Sequence, residues 1–286
     1  MVNSTKTQKK HKQDTLLQRQ KAVERVITTV SQKLDEPLTI EKMAQMAFLS
    51  PFHFSRVFHD VTGLPPAQFL YALRIDTAKR FLLTTDKSVT DICFDVGYNS
   101  LGTFTTRFKE LVGLSPREFR QLAEQVRSFD WKRLFAKEWE NQNISTDNEA
   151  SQGKVVAPDG FEGLIFIGLF AQMIPQSQPI AGTLLTQGGS FNLGRIDENE
   201  AHLLVAALPR AADPYEYLLL DFSKLLVGVG ERKPAFFADE KIQPWHVHLR
   251  SLQITDPPVL IALPFLIINV LKQITVTNLV ENEAFK

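Results

Sequence analysis

The feature that most restricts how this chain folds is an internal repeat. Ser50, Phe54, Phe58, Gly63, Leu64, Pro66 and Phe69 recur 50 residues later as Ser100, Phe104, Phe108, Gly113, Leu114, Pro116 and Phe119. Seven coincidences in a 20-residue window exceed chance, and a fixed period marks one supersecondary unit used twice. In the first copy Thr39 is placed to N-cap a short helix through Met43, Ala44 and Ala47, with Glu41 and Lys42 in its first turn. Small Ala44 lets a second helix cross closely. Ser50 caps that second helix, whose predicted inward residues are Phe54, Phe58 and Val61, and Gly63 ends it with a positive φ before Leu64-Pro65-Pro66. The second copy repeats the plan. Val89, Ile92 and Cys93 form the first helix and Gly97-Tyr98-Asn99 the turn. Ser100 is the cap, and Phe104, Phe108 and Leu111 point inward. Helix, tight turn, helix is the helix-turn-helix unit. Cys93 stands where Ala44 stands in the first copy, so its reading is packing rather than redox chemistry.

Between the copies, Phe69, Leu70, Leu73, Ala78, Phe81 and Leu82 give Pro66–Leu83 helical spacing, with Arg74, Lys79 and Arg80 among them. A helix of about 16 residues is ~24 Å long. It could hold two second helices about one DNA turn, ~34 Å, apart.

The overall balance is neutral, 32 Lys+Arg against 32 Asp+Glu, but the neutrality is a cancellation. Residues 1–140 hold 22 basic and 16 acidic side chains, a net of +6, and residues 141–286 hold 10 and 16, a net of −6. Such asymmetry is a hint of nucleic-acid contact by the basic half, with random surface scatter as the alternative. A single cysteine excludes an intrachain disulfide framework and a multi-cysteine zinc site and makes a reducing compartment the easier reading. The lysine-rich start has no apolar core of a secretory signal. The longest apolar stretch, Pro258–Leu271, is too short for a membrane span, which needs ~20 such residues. The expectation is a soluble, cytoplasmic protein without a membrane partner.

With these motifs together the sequence resembles the AraC/XylS family of bacterial transcription regulators over roughly residues 20–122. Leu38-Thr39-Ile40-Glu41-Lys42-Met43-Ala44, Leu49-Ser50-Pro51, Phe54-Ser55-Arg56-Val57-Phe58 and Gly63-Leu64-Pro65-Pro66 match its first unit, and Arg74 and Ala78 its linking helix. Val89-Thr90-Asp91-Ile92, Val96-Gly97-Tyr98, Phe108-Lys109 and Gly113-Leu114-Ser115-Pro116 match its second. The resemblance implies seven helices and two helix-turn-helix units, each laying its second helix in the major groove of double-stranded DNA. It implies that Phe52, Ser55 and Arg56 face the groove, Arg56 bonding a guanine and Phe52 touching a thymine methyl. His53 neighbours phosphates or plain surface. The second unit departs from the pattern: Leu101-Gly102-Thr103 replaces a polar run, and Thr106 stands where an arginine is common. Thr103 and Thr106 would reach bases weakly, and Arg107 and Lys109 would hold phosphates, so the first unit is expected to dominate base reading. Domain order departs too, because many members carry the sensor first.

From Asn141 the chain turns polar, and after Gly160 its apolar runs become short. They are Leu164–Phe170, Ile180–Leu185, Ser190–Leu193, His202–Leu208, Tyr217–Leu220, Leu225–Val229 and Val247–Leu252. That spacing suggests an antiparallel sandwich or barrel. The stretch after Asp256-Pro257-Pro258 is left open between helix and strand. Gly163–Phe170, Ile180–Thr183, Gly189–Leu193 and the strand from His202 are faintly similar to transthyretin-like, carboxypeptidase-regulatory β-sandwiches. Trp245-His246-Val247-His248 lacks the following glutamate a cupin metal site wants and has Arg250 instead, so the histidines read as surface or packing. No nucleophile elbow, P-loop or zinc-protease motif occurs, and Asp221, Asp239 and Glu240 read as loop charges.

The fold class expected is α + β and multidomain, an all-α double helix-turn-helix domain followed by an all-β, sandwich-like domain. The boundaries are a disordered basic tail at 1–18, the DNA-binding domain with a helical extension at 19–140, a linker at 141–160, a β-domain at 161–272 and a tail at 273–286. The function expected is a sequence-specific regulator, not an enzyme, without cofactor or metal. Its β-domain would sense a small-molecule effector, form a homodimer or contact RNA polymerase. The rival is an enzymatic or ligand-processing β-domain carrying a DNA-binding appendage.

Overall fold

The computed structural model describes residues 2–128, 152–194, 201–210, 216–221, 223–231 and 244–262. The helical extension beyond 128, the first part of the linker and the C-terminal tail lie outside the described residues, as do Asp239 and Glu240.

Among the described residues the first half holds seven helices: α1 (Val2–Ser31), α2 (Ile40–Met46), α3 (Pro51–Thr62), α4 (Pro66–Thr84), α5 (Val89–Asp95), α6 (Leu101–Val112) and α7 (Pro116–Ser128). The capping signals read at Thr39, Ser50 and Ser100 act as expected, and Ser88, not singled out in the sequence, caps α5 in the same way. The Thr39, Ser50, Ser88 and Ser100 side chains each accept a backbone N–H three residues on, and Gly63 and Gly113 end α3 and α6 at φ 74° and 89°. One expectation fails at the N-terminus: the chain is helical from Val2, with neither Gly nor Pro before Ser31 to break the run. At 1.5 Å per residue α1 is about 45 Å long, and its apolar stripe from Ala22 to Val30 is what seats it on the core. A second correction concerns the inward faces. Val57 and Val112 are fully buried, whereas Val61 and Leu111 are only partly covered.

Among the described residues the second half holds two sheets. One has the order β4-β1-β7, from Gly189–Asn192, Gln152–Val156 and Trp245–His248. The other has the order β3-β2-β5-β6-β8, from Ala181–Leu185, Gly163–Phe170, His202–Pro209, Leu226–Val229 and Arg250–Ser251. Four readings of this half are corrected. Strand β1 lies inside the expected linker, where Lys154 and Val155 pair with Ser190 and Gly189. The sheets are not wholly antiparallel, since β1 runs parallel to β7, a pairing open to strands joined by a long crossover. Tyr217–Leu220 is not a strand; a short helix α8 (Glu216–Leu219) stands there, so this half is not all-β. The run Val247–Leu252 changes sheet at Leu249 and makes two strands rather than one.

Strand alternation sorts the core. Ile165, Ile167 and Leu169 of β2 and Leu203, Val205 and Ala207 of β5 join Val155, Phe191 and Val247 from the smaller sheet in one cluster. Their neighbours Leu164, Phe166, Phe170, Leu204, Ala206 and Leu208 belong to the cluster that contains the whole helical core. The central strands are therefore buried on both faces, with the smaller sheet on one side and the helices on the other. Lys79 of α4, only 3% exposed, donates to the Val259 carbonyl at 2.8 Å across this seam.

Candidate nucleic-acid interface

The two second helices present their N-terminal halves outward for a simple reason. In α3, Phe54, Val57 and Phe58 fill the core, so Phe52 and Arg56 are turned away from it. Phe52 is 79% exposed, which no packing role explains. The Arg56 guanidinium carbon lies 5.8 Å from the Phe52 ring centroid, and Nη2 lies 3.3 Å from His53 Nδ1. The three side chains form one cluster, with the guanidinium stacked and hydrogen-bonded rather than loose. Ser55 is half-buried and its hydroxyl donates to the Pro51 carbonyl at 2.9 Å, which leaves its lone pairs, not its proton, for a partner. His53 is half-buried as well.

In α6, Phe104, Phe108 and Val112 are buried and Thr103, Thr106, Arg107 and Lys109 are exposed. Arg107 is engaged locally. Its guanidinium carbon lies 5.7 Å from the Tyr71 ring centroid, and Nη1 lies 3.4 Å from Glu110. An exposed pair of that kind contributes about 0–1 kcal/mol, so Arg107 can leave Glu110 cheaply for a phosphate. Tyr71, on α4 and 40% exposed, is a residue the sequence reading did not single out. Its i,i+4 spacing to buried Ile75 would place it inward, and only its stacking with Arg107 and its approach to Tyr98 (centroids 6.4 Å apart) show its part.

Of the basic residues of α4, Arg74 and Lys79 are buried and Arg80 is half-buried. Arg74 donates to the Leu34 and Glu36 carbonyls at 3.1 Å each, burial pulling its pKa below the ordinary value. Gly97 closes against the same Leu34 carbonyl and the Arg74 guanidinium at φ 82°, where a Cβ would collide with both. Asp76 pairs with half-buried Arg80 at 3.3 Å. Burial pushes Lys79 down to about 8 and raises Asp76. The net positive charge of the first half therefore overstates the charge available to a polyanion. Cys93 is fully buried with its thiol pKa raised by burial, in keeping with the packing reading.

Elsewhere, Arg250 makes a two-pronged pair with Asp256 at 2.7 and 2.8 Å. His246 and His248 project to the surface of β7. Among the described residues no group of three His, Cys, Asp or Glu side chains could hold a metal ion, and no helix is long and apolar enough to cross a membrane.

Two capped helix-turn-helix units joined by one helix, with bare N-terminal halves on both second helices, define a double helix-turn-helix domain. Residues 43–122 match the family described as Helix-turn-helix domain. The chain is 31% identical over 122 residues to the melibiose operon regulatory protein of Escherichia coli, covering 43% of this chain and 40% of that protein. It is 29% identical over 108 residues to the bifunctional transcriptional activator/DNA repair enzyme AdaA of Bacillus subtilis, covering 38% and 51%. Among solved structures it is similar to the DNA-binding domain of AdpA in complex with a target DNA, at 29% identity and a TM-score of 0.36, covering 38% of this chain and 97% of that one. The chain spans about half or less of the length of these curated relatives. The domain at residues 43–122 is a helix-turn-helix domain of the AraC type.

Proposed function

We propose that the chain is a DNA-binding transcription regulator whose α3 and α6 enter successive major-groove segments of double-stranded DNA. The observation that carries this reading is the outward face of α3, where an exposed Phe52 is stacked by Arg56 opposite a fully buried Phe54–Val57–Phe58 face. Arg56 reads a guanine and Phe52 a thymine methyl. Ser55 accepts from a base, and His53 sits against the flanking backbone. Thr103 and Thr106 contribute weakly, while Arg107 and Lys109 hold phosphates. The named activities of the relatives, regulation in each case and DNA repair besides in one, favour a regulator over an enzyme with a DNA-binding appendage.

The second half is read as a sandwich-like domain on the strength of the apolar cluster shared by its two sheets. It serves effector sensing, dimerisation or contact with RNA polymerase, in the cytoplasm. The test is selection of bound DNA sites by the full chain at stated salt. A recovered motif whose guanine preference disappears in Arg56→Ala supports the assignment. A motif unchanged in Arg56→Ala but lost in Thr106→Ala reverses the roles of the two units. Binding with no motif makes the protein a non-specific DNA binder.

A further inference from the structure

The segment joining β2 to β3, residues 171–180, leaves the sheet and lies across the ends of both second helices. At the first unit, Met173 packs on Gly63, its Cβ 3.6 Å from where a side chain would begin, and Gln68 donates to Gln172 at 2.7 Å. At the second unit, the Ser177 N–H donates to the Leu111 carbonyl at 2.7 Å and its hydroxyl to the Glu110 carbonyl. The last four carbonyls of a helix have no partner within it. Gly113 serves that of Lys109, and Ser177 serves the next two from another domain. Ser177 does so at φ 58°, a left-handed conformation that side chains other than glycine adopt at a cost. The segment is itself held. The Pro175 carbonyl accepts from Leu260 and Ile261 at 3.0 and 3.1 Å, and the neighbouring Val259 carbonyl takes the buried Lys79 ammonium of α4. The contacts made with the helical half fall at the C-terminal ends of α3 and α6 or on α4, and they leave the outward N-terminal halves bare.

We propose that residues 171–180 brace the two helix-turn-helix units against each other, so that the C-terminal domain sets the spacing at which the pair reads DNA. Ser177 is the chief positioning residue and Met173 its counterpart at the first unit. The segment reaches both units, is anchored at Pro175 by a third stretch of chain, and caps α6 with a strained residue. A tethered sensor domain needs none of these features. The inference rests on the DNA-binding reading for its consequence but not for its geometry.

Two measurements on the full chain separate the geometry from its consequence. Spin labels at Asp60→Cys on α3 and Lys109→Cys on α6 report the distance between the units without DNA, the buried Cys93 staying unlabelled. We expect one narrow distance distribution, broadened in Ser177→Ala and more so when Met173→Ala and Gln172→Ala are added. Equal widths in all three would overturn the brace whether or not the protein binds DNA. With selected sites whose two halves are moved apart or together by one base pair, we expect a preference for one spacing of about tenfold in the parent to fall below about threefold in the triple variant. An unchanged spacing preference also overturns the proposal. Loss of all DNA binding in the parent refutes the functional reading instead, while the label distances still decide the brace. Should the triple variant fail to fold, Ser177→Ala alone carries the distance test.

Discussion

The two helix-turn-helix units share a skeleton and differ in almost everything attached to it. Phe54–Phe58–Phe69 in the first unit and Phe104–Phe108–Phe119 in the second form matching chains of tilted and edge-on rings with centroids 5.4 to 5.8 Å apart. The turn between first and second helix is built alike, Leu49 bonding back to the Ala44 carbonyl and Tyr98 to that of Cys93. At the left-handed position of that turn the second unit has Gly97 and the first has Phe48, at φ 57° and 85% exposed. Outward, the first unit offers a stacked arginine and aromatic where the second offers two threonines and an arginine turned toward Tyr71. At the far end, the second unit is capped by Ser177 of the other domain and the first is only touched by Met173. The repeat keeps what the core demands and lets the outer face and the supports diverge. That division suits one unit that reads bases and one held in place to grip the backbone.

The comparison can be broken first at its shared core. Phe58→Ala and Phe108→Ala should each destabilise by about 3–5 kcal/mol. Denaturant unfolding that finds one below about 1 kcal/mol would mean that the two cores are not equivalent. The outer faces come next. Arg56→Ala should weaken binding to a selected site by about 1–3 kcal/mol, whereas Thr106→Ala should change it by less than about 0.5 kcal/mol, as read by titration at fixed salt. The turns should respond with opposite signs. Phe48→Gly relieves a left-handed side chain and should stabilise by about 1 kcal/mol, while Gly97→Ala meets both the strain and the Leu34 carbonyl and should cost more than that. Equal and opposite melting shifts would show that the Leu34 approach costs nothing.

The smallest effect is the pH dependence carried by the seam. Burial lowers Lys79 from 10.5 to about 8, so the folded chain gives up this proton before the unfolded chain does. Between those values the unfolded state binds more protons, and stability should rise with pH. Asp76, raised by burial, acts in the other direction on the acid side, its contribution falling as pH climbs from its ordinary 3.8 through the raised value. In Lys79→Met the alkaline rise should vanish. Its persistence would assign it to another group.

Much of the first half was legible because its signals are local. A serine three residues before a bonded N–H, a glycine after the last turn and phenylalanines four apart all act within a few residues of one another. Val57 was overlooked in favour of Val61 because a residue at the flank of a helical stripe is decided by what packs opposite. In the second half the strands at Gly163–Phe170 and His202–Pro209 were visible as apolar runs. β1 was hidden, since Gln152-Gly153-Lys154-Val155-Val156 has too little apolar pattern to stand out from a polar stretch. Tyr217–Leu220 misled because a four-residue apolar run has no period of its own. Of the expected site residues, Phe52 and Arg56 stand clear of the core as anticipated, while Arg107 has a stacking partner on α4 that no spacing rule would supply.

By itself, the sequence determined the duplicated helix-turn-helix frame, its caps and the outward faces of α3 and α6, because each depends on residues within one or two turns of one another. Only the tertiary structure decided that Arg74 and Lys79 of α4 are spent inside. It also decided that β1 belongs to a sheet rather than a linker, and that Ser177 closes the end of a helix 67 residues away. Those outcomes depend on which distant carbonyls and apolar faces meet when the two halves pack, and no local pattern encodes a partner that far along the chain.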